Sequence, residues 1–483
     1  MAEPTNTPLP TAPGTPISAT PRSASPAPGY GDITPPAGSR LGLGPSSLTV
    51  PIPVHIPAAA ATTFSSSSPL AAAPASQPTT TIPDLVVPSP SPSPPSPPPP
   101  SAPLNTTTVT GRKPKVLHIG DPIRYNPEAF ADFAARFDVV RPEAAERERA
   151  EFATALRDRR WGDFDAIYRP FWGSGGEMGN WDAELVALLP DSVRVFASAG
   201  AGFDWADVRL LGERGIIYCN SGLAAAEAVA DFAVAMIIST FRALPYCITS
   251  ATSLSSSSTP SPSPSTFRTC HALATAQSHN LRNHTLGLIG LGNIGQRIAR
   301  RMHLAFGMQI LYYDVERKSS SIEAELNSSS SSSNNGGNGS GSIYRDSLER
   351  LARESDCVVL CTPAGAGQQL INKESLACFR PGARFVNVAR GSLVDEDALA
   401  DALDDGRISA VALDVHAAEP SVSARLASYA GTKALLTCHN AGGTVETHAG
   451  FEELGMRNIS AVLEGREAIT PVNLGFLKVK ENK

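Results

Sequence analysis

A glycine-rich motif in the middle of the chain constrains the fold more than any other feature. Gly290, Gly292 and Gly295 have the spacing G-x-G-x-x-G, directly after the apolar run 286–289 and before a helical pattern over 296–302. The first glycine permits a tight turn, the second lets the backbone approach a pyrophosphate, and the third lets the helix pack on the strand. The motif alone could mark an ordinary turn, but the strand and helix around it favour a dinucleotide-binding unit.

A carboxylate follows the next predicted strand. Asp314 lies nineteen residues beyond Gly295, at the end of the apolar run 309–313. A carboxylate there can accept hydrogen bonds from both hydroxyls of an adenosine ribose and would repel a 2′-phosphate, which favours NAD over NADP. An exposed aspartate at a strand end is the plainer alternative. The cofactor-binding residues predicted from this unit are Gly290, Gly292, Asn293, Ile294, Gly295 and Asp314.

Short apolar runs alternate with helical patterns from Lys115 onward, which is typical of parallel sheets covered by helices. We therefore predict an α/β protein with two Rossmann-like parallel-sheet domains and a cleft between them. A long helix is predicted over 224–244, between the two series. The predicted strands are 116–119, 166–168, 193–197 and 215–218 in the first series, and 286–289, 309–313, 358–360, 385–388, 411–413 and 435–437 in the second.

The first 113 residues differ in composition from the rest. They contain 28 of the 42 prolines and seven charged side chains. Such a segment cannot bury enough apolar surface to offset its ordering entropy, so we predict a disordered tail. Two Ser-rich inserts, near 249–266 and 327–342, are predicted to be surface loops.

Charge and cysteine content exclude several classes of protein. The net charge is −6 and no basic stripe is present, which argues against a nucleic-acid partner. The seven cysteines form no C-x-x-C pair, so we expect a reduced, cytoplasmic setting, with Cys357 and Cys361 as buried thiols. No signal-peptide pattern is visible, and the most apolar later run, 223–240, contains Glu227 and Asp231. No membrane partner is therefore predicted.

Three later segments each place a polar side chain after a predicted strand. Arg390, Glu419 and His439 follow consecutive apolar runs, and strand ends at one edge of a parallel sheet face a common crevice. Alone, each has a plainer interpretation as a solvated charge, a turn carboxylate or a buried histidine. Their joint occurrence favours a shared site. No metal-ligand spacing joins the remaining candidates, so no metal site is predicted and structural roles are assigned to His271, His303 and His416.

These motifs resemble those of the D-2-hydroxyacid dehydrogenase family. The glycine fingerprint, N-x-A-R-G at 387–391, D-V-x-x-x-E-P at 414–420 and H-x-x-G-G at 439–443 occur in the family's order, and the resemblance covers about residues 115–475. Within the family the chain is similar to the fungal D-mandelate dehydrogenase-like branch, through the segments 168–172, 414–416 and 438–444. The resemblance implies an NAD-dependent oxidoreductase that interconverts 2-oxo acids and D-2-hydroxy acids.

The resemblance also implies roles for individual residues. Arg390 would hold the substrate carboxylate, His439 would exchange a proton with the substrate oxygen, and Glu419 would orient His439. Backbone N–H groups of Ala201 and Gly202 would bind the substrate carboxylate. An aromatic lid for an aryl side chain is a weaker possibility than simple packing. The remaining residues are Thr362, Pro363 and Asp414 at the cofactor, and Phe171 and Trp172 as the aromatic pair.

The same comparison implies the domain division and leaves alternatives open. The substrate domain would comprise 114–222 and 446–475, the cofactor domain 223–445, and the enzyme would be a homodimer. A glyoxylate/hydroxypyruvate reductase is the alternative within the family, and a dinucleotide-sensing corepressor-like protein is the alternative outside enzymes. Glu419 disfavours a formate dehydrogenase. The loop 364–368, Cys438 before the histidine and the insert after Thr249 depart from the family pattern.

Overall fold

Both sheets expected from the alternation are present, and all their paired strands run parallel. The computed structural model describes residues 112–171, 173–253, 264–327, 342–364 and 369–477. The predicted tail therefore lies almost wholly outside the described residues, as do the central parts of both inserts. Its last two residues, Arg112 and Lys113, are described. Arg112 pairs with Asp165 at 3.1 Å, and Lys113 donates a hydrogen bond to the carbonyl of Ala134 at 2.9 Å.

The first sheet has five strands in the order β2-β1-β3-β4-β5. Apolar side chains fill both of its faces, as expected for a sheet covered by helices on each side. Its strands are β1 (Lys115–His118), β2 (Asp138–Val140), β3 (Ala166–Arg169), β4 (Val195–Ser198) and β5 (Ile217–Cys219), and its helices are α1 (Pro127–Arg136), α2 (Arg149–Arg157), α3 (Ala183–Leu188) and α4 (Val208–Glu213).

The second sheet has six strands in the order β11-β10-β9-β8-β6-β7. The chain leaves β6 for β7 on one side and returns to β8 on the other. In sheets of this kind, ligands bind outside the carboxyl ends of the strands where the order reverses. The strands are β6 (Thr285–Ile289), β7 (Gln309–Tyr313), β8 (Cys357–Leu360), β9 (Ala383–Asn387), β10 (Ile408–Leu413) and β11 (Ala434–Leu436).

Helices cover both faces of the second sheet. On β8, Cys357 and Val359 face one apolar cluster while Val358 and Leu360 face the other. This alternation is the two-residue period of a strand buried on both sides. The helices are α5 (Gly222–Phe241), α6 (Leu244–Ser253), α7 (Pro264–Gln277), α8 (Asn293–Leu304), α9 (Ser320–Asn327), α10 (Leu348–Glu354), α11 (Lys373–Ala377), α12 (Glu396–Asp404) and α13 (Ala424–Ala427).

The last long helix, α14 (Val445–Leu463), packs on the first sheet, although the chain enters it from the second. Met456 and Ile459 join the same apolar cluster as strand residues of β1, β3 and β4. In the middle of the helix, the fully buried Glu452 accepts hydrogen bonds from the backbone N–H groups of Arg124, Tyr125 and Asn126. The C-terminal helix is thereby fixed to the loop between β1 and α1.

Apart from shifts of one to three residues at strand ends, the elements differ from the predictions at three places. The predicted helix over 224–244 ends at Phe241, because Ala243 adopts a left-handed backbone (φ 48°) and α6 begins directly afterwards. The predicted insert over 249–266 is helical at both ends, in α6 and α7, so the loop assignment was wrong there. Strand β2 was not predicted, because its three residues form an exposed sheet edge.

Within the described ranges, α5 is the one helix long and apolar enough to cross a membrane. Half of its most apolar window is buried inside the protein. Its acidic residues pair with the neighbouring α8, Glu227 with Arg297 and Arg301, and Asp231 with Arg301 at 2.8 Å. These contacts give α5 the environment of a core helix.

Candidate functional site

Three side chains predicted to converge follow adjacent strands of the second sheet. Arg390 follows β9, Glu419 follows β10 and His439 follows β11, and these strands are neighbours. Because the strands are parallel, all three residues lie at the carboxyl edge of the sheet.

Glu419 and His439 form the central pair of this edge. His439 Nδ1 lies 2.9 Å from Glu419 Oε2, and the other oxygen of Glu419 accepts the backbone N–H of His416 at 2.9 Å. Burial raises the pKa of Glu419, but the bonds from His439 and His416 outweigh burial and leave that pKa below its usual value. Glu419 is therefore an anion that orients the imidazole.

Asp414 holds the backbone on which His439 lies. His439 has a left-handed backbone (φ 52°), and its N–H donates to the carbonyl of Asp414 at 2.7 Å. The buried carboxylate of Asp414 accepts the N–H groups of Asn440 and Ala441, each at 2.9 Å, and the hydroxyl of Thr437 at 2.7 Å. Such a network compensates for a conformation that is otherwise unfavourable. The predicted contact of Asp414 with the cofactor stays a prediction.

Arg390 meets the glycine loop of the first sheet. A Cβ atom on Gly202 would overlap the guanidinium of Arg390, so only glycine leaves room for this contact. Arg390 Nε donates to Asp204 at 3.1 Å, and Nη1 donates to the carbonyl of Ala389 at 2.8 Å. Ala201, which precedes Gly202, accepts a hydrogen bond from Asn220 at 2.9 Å through its carbonyl. The structure thus brings the predicted carboxylate-binding loop beside Arg390.

The glycine fingerprint forms the turn from β6 into α8. Gly290 has φ 99°, a region that favours glycine, and a Cβ there would lie 2.9 Å from the carbonyl oxygen of Cys361. A Cβ on Gly295 would overlap the carbonyl of Gly290. Gly292, by contrast, caps α8 and faces open space. Helix α8 therefore starts, at Asn293 and Ile294, beside room for a phosphate group.

Asp314 lies beside this turn, and its Oδ2 atom makes two contacts. Its carboxylate accepts the N–H of Leu291 at 2.8 Å and pairs with Lys318 at 3.0 Å. Arg317 is directed elsewhere, because Glu323 binds it through two hydrogen bonds of 2.9 and 2.8 Å. The two basic neighbours of Asp314 are therefore not equivalent.

The end of β8 closes the other side of the turn. Thr362 lies close to Gly290: a Cβ added to Gly290 would be 3.2 Å from the Cα atom of Thr362. The next residue, Pro363, is exposed. Cys361 donates its thiol to the carbonyl of Gly290 at 3.1 Å. Burial raises the pKa of both Cys361 and Cys357 to about 12. Cys357 is fully buried as predicted, whereas Cys361 is half-buried.

Aromatic side chains gather at the carboxyl edge of the first sheet. Phe171 follows β3 and is buried, and its ring centroid lies 6.5 Å from that of His448 on α14. Tyr125, from the loop after β1, lies 6.1 Å from His448 on another side. Trp172 lies outside the described residues.

Sequence reasoning did not identify several residues around this site. Asp414 was predicted only as a cofactor contact and His416 only as a structural residue. The bonds that join them to Thr437 and to the backbone around His439 leave no periodic pattern. His448 and Glu452 lie on a helix that follows the last motif, and only folding brings them to the first sheet.

Comparison with known proteins agrees with this arrangement. A family model described as D-isomer specific 2-hydroxyacid dehydrogenase, NAD binding domain, matches residues 266–441. A glyoxylate reductase of Thermococcus kodakarensis is 34% identical over 301 residues, which cover 62% of this chain and 82% of the relative. The 4-methyl-2-oxopentanoate reductase A of Aspergillus oryzae is 29% identical over 325 residues, which cover 67% and 88%.

Solved structures give a similar result. The holo form of D-mandelate dehydrogenase from Rhodotorula graminis superposes with a TM-score of 0.67 and 38% identity, covering 74% of this chain and 97% of that protein. At 74% of this chain, the match to that structure is long enough to include both sheets. The family model is confined to residues 266–441, which contain the second sheet. The chain belongs to the D-isomer specific 2-hydroxyacid dehydrogenase family and is an NAD-binding oxidoreductase that interconverts 2-oxo acids and 2-hydroxy acids.

Proposed function

We propose that this enzyme reduces 2-oxo acids with aryl or bulky apolar side chains to D-2-hydroxy acids, with Arg390, Glu419 and His439 as its catalytic residues. One observation carries the assignment of the catalytic residues. The 2.9 Å bond between Glu419 and His439 lies at the same sheet edge as Arg390, whose guanidinium contacts Gly202. A cation for the carboxylate and an oriented acid–base group are what this chemistry requires.

His439 exchanges the proton. Glu419 occupies Nδ1, so Nε2 is the ring atom that delivers a proton to the oxo oxygen in reduction and withdraws the hydroxyl proton in oxidation. The carboxylate of Glu419 fixes the orientation of the ring.

Arg390 binds and polarises the substrate. Its planar guanidinium can hold the substrate carboxylate through two parallel hydrogen bonds and direct a further N–H toward the oxo group. Backbone N–H groups of Ala201 and Gly202 complete the carboxylate site. Asp204 and the carbonyl of Ala389 fix the direction of the arginine.

The glycine turn is suited to a dinucleotide. The open space at Gly292 and the start of α8 would receive the pyrophosphate, and Asp314 would accept the ribose hydroxyls. Thr362, Pro363 and Asp414 would line the site further along the sheet edge. NAD supplies or accepts a hydride when bound, and NADP is the less favoured cofactor because of the charge of Asp314.

The aromatic set favours a bulky substrate. Phe171, His448 and Tyr125 come from three separate segments and form one wall at the carboxyl edge of the first sheet. Stacked or edge-on rings are the usual environment for an aryl side chain. Trp172, next to Phe171, is proposed as a second lid residue on the sequence argument alone. The D-mandelate dehydrogenase similarity favours the same substrate class.

A glyoxylate or hydroxypyruvate reductase is the second candidate. The 34% identical relative is a glyoxylate reductase, and glyoxylate carries no side chain that an aromatic wall could bind. A dinucleotide-sensing protein without turnover is the alternative from another class.

We further propose a substrate domain of residues 114–222 and 446–475, a cofactor domain of 223–445, a homodimer and a cytoplasmic location. The packing of α14 on the first sheet supports the domain division. Exposed apolar side chains on α6 and α7 support an interface with a second copy. They are Leu244, Ile248, Phe267 and Leu273.

Loss of NADH absorbance with a panel of 2-oxo acids tests the proposal. We expect turnover with phenylglyoxylate at a higher kcat/KM than with glyoxylate or hydroxypyruvate, and we expect Phe171→Ala and Trp172→Ala to reduce the difference. A preference for glyoxylate would select the second candidate. Tight NADH binding without turnover of any 2-oxo acid would select the sensing protein.

A further inference from the structure

His416 touches the segments that carry all three catalytic residues. Its backbone N–H donates to Glu419 at 2.9 Å, and its ring Nε2 bonds to the carbonyl of Thr437, two residues before His439, at 2.9 Å. Its own carbonyl packs against Gly391, which directly follows Arg390, so closely that a Cβ on that glycine would overlap it.

The ring of His416 makes a directed bond in a buried place. The residue is 6% exposed. A carbonyl oxygen can only accept, so Nε2 carries the proton, and Nδ1 is buried with no partner among the described residues. A buried, unpaired nitrogen disfavours folding, and an apolar ring of similar size would avoid that cost. Packing alone therefore gives no reason for a histidine at this position.

The bond to Thr437 supports the unusual backbone of His439. Thr437 also donates its hydroxyl to Asp414 at 2.7 Å, and Asp414 holds the N–H groups of the residues that follow His439. His416 and Asp414 thus fix Thr437 from two directions. A left-handed residue such as His439 persists only where its surroundings determine it.

We propose that His416 is a positioning residue that fixes Glu419 through its backbone and His439 through the bond of its ring to Thr437. The inference rests on the proposed roles of Glu419 and His439. A side-chain substitution removes only the second of these contacts, so its effect reports on the bond to Thr437.

Two substitutions separate positioning from packing. His416→Phe keeps a ring but removes the donor, whereas His416→Gln keeps an N–H group at similar reach. We expect His416→Phe to lower kcat by about 10- to 100-fold, the usual cost of a displaced catalytic group, with KM for the 2-oxo acid and for NADH unchanged. The solvent deuterium isotope effect on kcat should rise, because proton transfer becomes slower. His416→Gln should recover most of kcat.

His303→Phe is the matched control. His303 also bonds to a backbone carbonyl, that of Met308 at 3.1 Å, but it lies at the end of α8 remote from the catalytic edge. This variant should retain kcat and the isotope effect of the wild type. Unchanged kcat in folded His416→Phe would overturn the proposal. So would equal losses in His416→Phe and His416→Gln with matching decreases in melting temperature, which indicate a packing role.

Hydrogen exchange gives a second measurement that needs no turnover. In the unliganded protein, the amides of His439, Asn440 and Ala441 should exchange faster in His416→Phe than in the wild type, and His416→Gln should restore their protection. Unchanged protection in His416→Phe would contradict the positioning role. If exchange responds as expected but no 2-oxo acid is turned over, the proposed function fails while the structural link stands.

Discussion

At the residue scale, we expect substitutions of His439 and Arg390 to affect different kinetic constants. We expect His439→Ala to lower kcat by about 10²–10⁴, because a positioned general acid is lost. Arg390→Ala should in addition raise KM for the 2-oxo acid, since the carboxylate loses its cation. Steady-state kinetics with NADH measures both, and His303→Ala is the control. Turnover of His439→Ala at the wild-type rate would refute the mechanism.

Substitution of Glu419 should affect both the reduction rate and the stability of the fold. Glu419→Gln keeps the shape of the side chain but removes the charge that binds His439 Nδ1, so kcat for reduction should fall. The effect on the stability of the fold should depend on pH in the acidic range. The folded protein holds the pKa of Glu419 below its usual value, so the carboxylate stabilises the fold above the unfolded pKa of about 4.3, and this contribution is lost as pH falls through the folded value.

Urea unfolding checks that second statement. The difference in free energy of unfolding between wild type and Glu419→Gln should be present at neutral pH and should disappear in acid. A difference independent of pH would show that the side chain acts by packing instead.

We expect Asp314 and Lys318 to set the preference between cofactors. A 2′-phosphate beside Asp314 meets a like charge, which costs about 1–4 kcal/mol in partly solvated surroundings, or roughly 5- to 10³-fold in kcat/KM. Lys318 bonds to that carboxylate and weakens the repulsion, so we expect an NADH preference at the low end of this range. Lys318→Ala should increase the preference and Asp314→Ala should reduce it. Arg317→Ala is the control, because Glu323 holds Arg317.

At the scale of elements, the contact between the glycine loop of the first sheet and Arg390 leaves no room for a side chain at Gly202. Gly202→Ala would place a Cβ on the guanidinium, which must then move from the substrate site. We expect KM for the 2-oxo acid to rise and kcat to fall, with little change in melting temperature, because the arginine end is flexible. Gly475→Ala, where a Cβ meets open space, is the control. Wild-type kinetics in Gly202→Ala would show that this contact does not position Arg390.

Elements buried on both faces were the most predictable from sequence. Strands such as β8 are continuous apolar runs with turn residues on either side, and each such run is a strand. β2 escaped prediction because Asp138 is exposed and the two valines after it are only half-buried, whereas β5, also an edge strand of three residues, lies in the apolar run 215–218. The end of the helix predicted over 224–244 was wrong because the left-handed backbone of Ala243, which no sequence pattern marks, follows the end of α5.

The site divides in the same manner. Arg390, Glu419 and His439 could be named because each follows a recognisable strand and belongs to an ordered motif. Their placement at one edge followed from parallel topology alone. The bonds that hold them, from Asp414, Thr437 and His416, join side chains to backbone atoms of other segments and required the structure.

For the whole molecule, the N-terminal tail is expected to be dispensable. Its composition cannot form a core, so deletion of residues 1–111 should leave kcat and the melting temperature unchanged. Deletion through Lys113 also removes the Arg112–Asp165 pair, whose exposed arginine makes it worth at most about 1 kcal/mol. Thermal unfolding and NADH kinetics of both truncated proteins test this. A marked loss in the shorter deletion would show that the tail contributes to the fold.

The return of α14 to the first sheet has a consequence for biosynthesis. The strands of that sheet are complete at Cys219, but Met456 and Ile459, which close one of its cores, emerge from the ribosome much later. At 5–20 residues per second the interval is roughly 12–48 s. During that time the uncovered face of the nascent sheet is a natural substrate for chaperones, while the second sheet already has all its strands before α14 is made.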